Sequence, residues 1–200
     1  MHTSTSLSIK VIHAPDERLR IKTKPVKKIT PVLLQTLKEM VRLTQTFSDP
    51  EGVGLAATQV GLEERFFVGR LHDSPHTPPS KPSQRSNRWK NYGQEFMAII
   101  NPQILSFSKA TRTYFEGCLS VPTVWGEVKR HTSIKVSYQD VNGNNTTKVL
   151  KSIPAWIFQH EVDHLNGILF TQRVLEQKGK FYKFTGKDKT GTDNFEEITL

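Results

Sequence analysis

The chain has 200 residues, of which 36% are hydrophobic and 24% charged, and its formal net charge is +9. That length supports one domain over residues 1–200 with a substantial core. No apolar run is long enough to span a bilayer, Met1–Lys10 lacks the apolar segment of a secretory signal, and the single Cys118 excludes an intrachain disulfide, so a cytoplasmic protein with no membrane partner is expected.

Residues 9–29 hold short apolar pieces broken by Ala14-Pro15-Asp16-Glu17, which reads as a turn followed by extended chain. Thr30-Pro31 announces a helix, with Thr30 as N-cap and Pro31 in the first helical position. Leu33, Leu34, Leu37, Met40, Val41 and Thr44 form its apolar face, and Asp49-Pro50 is expected to end it. The stretch Gly52-Val53-Gly54-Leu55-Ala56-Ala57-Thr58-Gln59 lets backbone approach a ligand closely. It mimics a dinucleotide fingerprint but fails on context, because a helix rather than a strand precedes it.

Phe66-Phe67-Val68 reads as a strand, and residues 72–95, with four prolines among polar residues, as an inserted surface loop whose end Trp89 and Tyr92 could pin. Phe96–Ile100 predicts a buried strand closed by Asn101-Pro102, with further strands at Ile104–Phe107, Thr111–Phe115, Ile134–Tyr138 and Thr146–Leu150. Ile168-Leu169-Phe170 reads as extended, and residues 176–200 as a loose polar tail.

The helical stretch Gln159-His160-Glu161-Val162-Asp163-His164 carries the clearest chemistry. His160 and His164 lie one turn apart on one face, so both imidazoles can reach one metal ion, while Glu161 is close enough to act as a base without being a ligand. Taken alone, a His-x-x-x-His pair is more often structural, but Ile153, Trp156 and Ile157 extend the same stripe and turn the imidazoles inward. Ser152 is the expected N-cap, Pro154 suits the first turn, and Asn166-Gly167 supplies a stop. The pattern points to metal-assisted hydrolysis.

Three stretches in fixed order, Gly52–Gln59, Glu116-Gly117-Cys118-Leu119-Ser120 and Gln159–His164, resemble the signature motifs of peptide deformylases. Asp16–Arg20, Lys24-Pro25-Val26 and Ile100-Asn101-Pro102 extend the resemblance over about residues 9–174. It implies an α+β fold in which antiparallel sheets pack around a central metal-binding helix. It also implies a metal-dependent amide hydrolase that removes the formyl group from N-terminal formyl-methionine of new polypeptides.

By the same resemblance Cys118 joins His160 and His164 as metal ligands, with ferrous iron expected and zinc or nickel able to take its place. Glu161 is the implied general base, and the Gln59 amide and Leu119 backbone N–H stabilise the oxyanion. Val53, Gly54, Leu55 and Gly117 hold the peptide backbone as an added strand, and Ile153, Trp156 and Ile157 receive the methionine side chain. Asp163 pairs with Arg130 and orients the metal helix. Trp156 is bulkier than the small aliphatic residue the family pattern suggests, and Trp125 stands where many relatives carry arginine.

Expected partners are N-formylmethionyl peptides and nascent chains, with the ribosome surface a candidate on grounds of charge. No arginine-aromatic motif or basic helix supports sequence-specific nucleic-acid binding. Competing readings are a general zinc peptidase, which lacks the usual downstream ligand pattern, a Cys118 nucleophile paired with either histidine, and a metal-stapled RNA-binding protein.

Overall fold

The computed structural model of the protein describes residues 9–48, 50–72 and 95–199. Only the ends of the insertion expected at 72–95, His72 and Glu95, fall among them, and Trp89 and Tyr92 do not.

Helix α1 spans Pro31–Gln45, with the Thr30 hydroxyl accepting from Leu33 N and Leu33, Leu37, Met40 and Thr44 turned to the core. It ends at Gln45, earlier than Asp49-Pro50, because the Thr46 amide and hydroxyl both return to the preceding turn. Five antiparallel strands follow one another in the order β1-β2-β3-β6-β7: β1 Gly54–Ala56, β2 Phe66–Gly69, β3 Met97–Phe107, β6 Ser133–Gln139 and β7 Asn145–Lys151. A second antiparallel sheet has the order β4-β5-β8-β9: β4 Thr111–Cys118, β5 Val121–His131, β8 Phe181–Lys187 and β9 Asp193–Ile198. Thus among the described residues β1 and β4 are each the outermost strand of their sheet.

Helix α2, Ser152–Leu165, lies against both sheets and is buried on nearly every side, by Ile153, Ala155, Ile157, Phe158, Val162 and Leu165 among others. Each of the Ile, Phe, Val and Leu side chains contributes about 1.5–3 kcal/mol on burial. Its polar residues are clamped: Gln159 exchanges two hydrogen bonds with the His131 backbone on β5, and Thr58 Oγ1 donates to the His164 carbonyl. The N-cap is Lys151 rather than Ser152. The Ser152 backbone is left-handed (φ 53°), and its amide is committed to the Thr132 carbonyl.

The other departures come from long-range pairing. Strand β3 does not stop at Asn101-Pro102 but bulges there, with Asn101 at φ 52° and its side chain bonded to both Val26 backbone groups and to Gln139. The proline, which has no N–H, sits where the ladder is already interrupted. Residues Phe170–Glu176 form helix α3, which packs Phe170 and Val174 under β5 instead of continuing as extended chain. The expected loose tail is a hairpin: β8 pairs with β5, and β9 with β8. Its alternation of exposed polar and half-buried apolar residues, with Phe181 buried and Tyr182, Phe184 and Phe195 half-buried, is that of a sheet covered on one side.

Asn101→Ala is expected to lose about 2–4 kcal/mol of stability in urea denaturation, since it removes three hydrogen bonds at a left-handed position. Asn101→Gly, which tolerates the backbone, should lose less, and equal losses would show that the conformation itself carries no cost.

Candidate metal centre

Strand β4 and helix α2 bring together residues that lie far apart in sequence. On β4, alternation turns Tyr114, Glu116 and Cys118 toward α2. On α2, His160 and His164 sit one turn apart, and one ligand atom each of Cys118, His160 and His164 lies within 4.8 Å of the other two. The Cys118 sulfur is 3.2 Å from His164 Nε2.

The charges explain why a thiol is tolerated here. Burial by itself raises the Cys118 thiol, but the adjacent His164 and His160 more than offset this and bring it down to about 5. His160 is in turn fixed by Glu116, whose Oε2 lies 2.9 Å from His160 Nδ1, which leaves Nε2 as the nitrogen for the shared site. Glu116 is wholly buried, which would raise its carboxyl. Arg130, through two hydrogen bonds of 2.8 and 2.9 Å, and His160 instead hold it at about 2. Arg130 also bonds Asp163, and Arg173 closes the chain with two bonds to the same carboxylate at 2.7 and 3.0 Å.

Glu161 faces the cleft beside these ligands. Burial pushes its carboxyl up to about 7, an effect partly offset by His160 and His164, and its Oε2 is buried with no hydrogen-bond partner among the described residues. The closeness of Gly54 is required: a Cβ there would lie 2.2 Å from Glu161 Oε1. Gln59 enters from a short 3-10 turn after β1. Its Oε1 accepts from Ala56 N at 2.8 Å, so its NH₂ is aimed at Ser120 Oγ (3.1 Å) and the Cys118 sulfur (3.4 Å). A soft thiolate and two imidazoles, with a buried unpartnered carboxylate oxygen next to them, suit a divalent metal at a catalytic rather than a closed structural site.

The cleft opens between the outer edges of β1 and β4. Val53, Gly54, Gly117, Leu119, Trp156 and Ile157 line it together with Gln59, Cys118, His160 and Glu161. Ile153 does not: it is fully buried in the core, a turn too deep along α2. The Leu55 side chain is likewise core. The Ala56 N–H is taken by Gln59 rather than by β2, so alternation turns the Gly54 backbone to the open edge and Leu55 toward β2. Val53 offers less than expected because its carbonyl already accepts from Arg70 N at 2.9 Å.

Sequence reasoning missed Glu116, Ser120 and Arg173 as partners of the site. Glu116 could have been found, since it lies two residues before Cys118 on a strand and must share its face. Arg173 could not, because its reach to Asp163 depends on α3. Trp156 Nε1 also donates to Glu116 at 2.8 Å, while its ring stacks on Tyr114 with centroids 5.3 Å apart.

A buried thiolate and two helix-borne imidazoles, opening on a cleft with a raised carboxyl, define the class as a metal-dependent hydrolase. Residues 8–180 match the family model of polypeptide deformylase. A peptide deformylase from Thermotoga neapolitana is 38% identical over 163 residues, which cover 82% of this chain and 85% of that protein. The Met-Ala-Ser-bound crystal structure of a class I type b peptide deformylase from Acinetobacter baumannii superposes with a TM-score of 0.69 at 32% identity, covering 84% of this chain and 99% of that one. A peptide deformylase from Synechococcus elongatus in complex with actinonin gives 0.67 at 32% identity, over 83% and 80%. The chain belongs to the polypeptide deformylase family.

Arg130→Ala leaves Glu116 and Asp163 buried without their shared cation, and is expected to cost about 3–5 kcal/mol in urea denaturation. Metal retained after dialysis should fall with it, and a wild-type midpoint with full metal content would remove Arg130 from the support of the site.

Proposed function

We propose that this chain, acting as one catalytic domain in the cytoplasm, removes the formyl group from the N-terminal formyl-methionine of new polypeptides and releases formate. One observation carries the reading: three metal-ligating groups, a raised carboxyl and an oriented amide meet at the bottom of a cleft bounded by two open strand edges. Cys118, His160 and His164 would hold the metal. Ferrous iron is the expected native ion, and zinc or nickel suit the same thiolate and imidazole set. When bound, the metal supplies the Lewis acidity that lets water attack an amide near neutral pH.

The chain's own groups do the rest. Glu161 takes up the proton of the attacking water at Oε2 and returns it to the leaving amine. The Gln59 NH₂ and the Leu119 backbone N–H donate to the formyl oxygen as it becomes negative, and the Gln59 amide is oriented before the substrate arrives by the Ala56 N–H on its Oε1. The peptide adds as a strand between β1 and β4, pairing with the edge backbone at Gly54 and Gly117. Its methionine side chain lies against Trp156 and Ile157. Trp156, pinned by Glu116 and Tyr114, makes that wall rigid. The peptide bound to the Acinetobacter relative is Met-Ala-Ser, which supports a substrate that begins with methionine.

Anaerobically purified, iron-loaded protein should release formate from formyl-Met-Ala-Ser, and its failure to do so would refute the proposal. Chelation should abolish turnover and added metal restore it, whereas activity indifferent to chelators but lost on thiol labelling would make Cys118 a nucleophile. Gln59→Ala should keep its metal and lose about 10²–10³ in kcat. Unchanged kcat would remove Gln59 from the mechanism.

A further inference from the structure

The family match ends at residue 180, and the hairpin β8–β9 follows it. This hairpin does more than extend the second sheet. Trp125 on β5 is in register with Gly117 on β4 and with Tyr182 on β8, so all three share the face of the sheet that points away from α2. On that face Phe115 and Trp125 stack with centroids 5.3 Å apart and planes 15° apart. Phe195 of β9 meets both edge-on, at 5.0 and 5.7 Å, and Tyr182 meets Phe115 edge-on at 5.3 Å.

Gly117 lets this cluster reach the cleft. A Cβ there would lie 2.8 Å from three atoms of the indole, so the Trp125 ring occupies the space of the missing side chain, and both Phe115 and Trp125 border the cleft. The methionine wall, Trp156 and Ile157, belongs to α2 and lies on the opposite side of β4, with Glu116 and Cys118. Successive side chains of an added strand point to opposite faces. A peptide whose methionine turns toward α2 therefore turns its next side chain toward Trp125.

We infer that the C-terminal hairpin builds a subsite for the residue after methionine, in which the Trp125 indole receives a large apolar or aromatic side chain. Trp125 is the contact, and Phe195 is a positioning residue that holds the ring from behind. The inference rests on the deformylase reading for the direction of the peptide. It makes this chain discriminate at the second residue by contact area and ring geometry.

The test compares formyl-Met-Phe-Ser with formyl-Met-Ala-Ser in steady-state kinetics on the iron-loaded enzyme. In parallel, calorimetry follows binding of the products Met-Phe-Ser and Met-Ala-Ser. The wild type is expected to favour the phenylalanine peptide about fivefold, in KM rather than kcat, the scale of one aromatic pair. Trp125→Leu, which keeps the sheet face covered, should bring the ratio to about one, and Phe195→Ala should lower it with the thermal midpoint monitored alongside. A wild-type ratio of one, or a ratio unchanged in both variants, overturns the inference while formate release from both peptides sustains the activity. Formate from neither peptide overturns the activity, and the calorimetric ratio then decides the subsite by itself.

Discussion

The site depends on one fully buried carboxylate. Glu116 receives Arg130 through two hydrogen bonds, holds His160 by its Nδ1 and accepts from the Trp156 indole, so a single side chain links β4, β5 and two turns of α2. An anion so deeply buried is tolerable only because every lone pair is used and a cation lies against it. That cation is itself shared with Asp163, which Arg173 completes from α3. The order of charges along this chain, from Arg173 through Asp163, Arg130 and Glu116 to His160, sets which imidazole nitrogen is left for the metal site. The candidate metal site and the stability of the fold therefore rest on the same few groups.

Around this network the fold solves a geometric problem. A hydrolase acting on the end of a peptide needs a helix rigid enough to hold His160 and His164 one turn apart and a cleft that an extended chain can enter. Burying α2 on nearly all sides meets the first need. Leaving β1 and β4 as the outer strands of two different sheets among the described residues meets the second, since both edges border the cleft beside Cys118 and His160. Gln59 joins the two requirements, anchored on the β1 backbone at one end and directed at Cys118 and Ser120 of the other sheet at the other.

Local signals in the sequence were reliable where the physics is local. The Thr30-Pro31 helix start, the alternation of Ile134–Tyr138 and the i,i+4 histidines of α2 all appear as read. The signals misled where pairing partners decide the outcome. Asn101-Pro102 looks like a stop but is a bulge, because Asn101 finds Val26 and Gln139, and the Lys-rich C-terminal stretch becomes two strands because the edge of β5 is available to it. Ile153 shares a helical stripe with Ile157, yet the depth of α2 in the core separates their roles.

From the residues alone follow the inward pair of imidazoles, the adjacent carboxylate and, through resemblance, the cysteine that joins them. The imidazole pair and its carboxylate depend on helical spacing and residue chemistry, which no distant contact alters, whereas the cysteine joins them only where β4 meets α2. The protonation of those groups, the link from His160 back to Arg173, the two open edges and the aromatic wall against Gly117 come only from the folded molecule. Each arises when strands and helices remote in the chain exclude water from one another, and burial of that kind is a property of the assembled chain and of no segment within it.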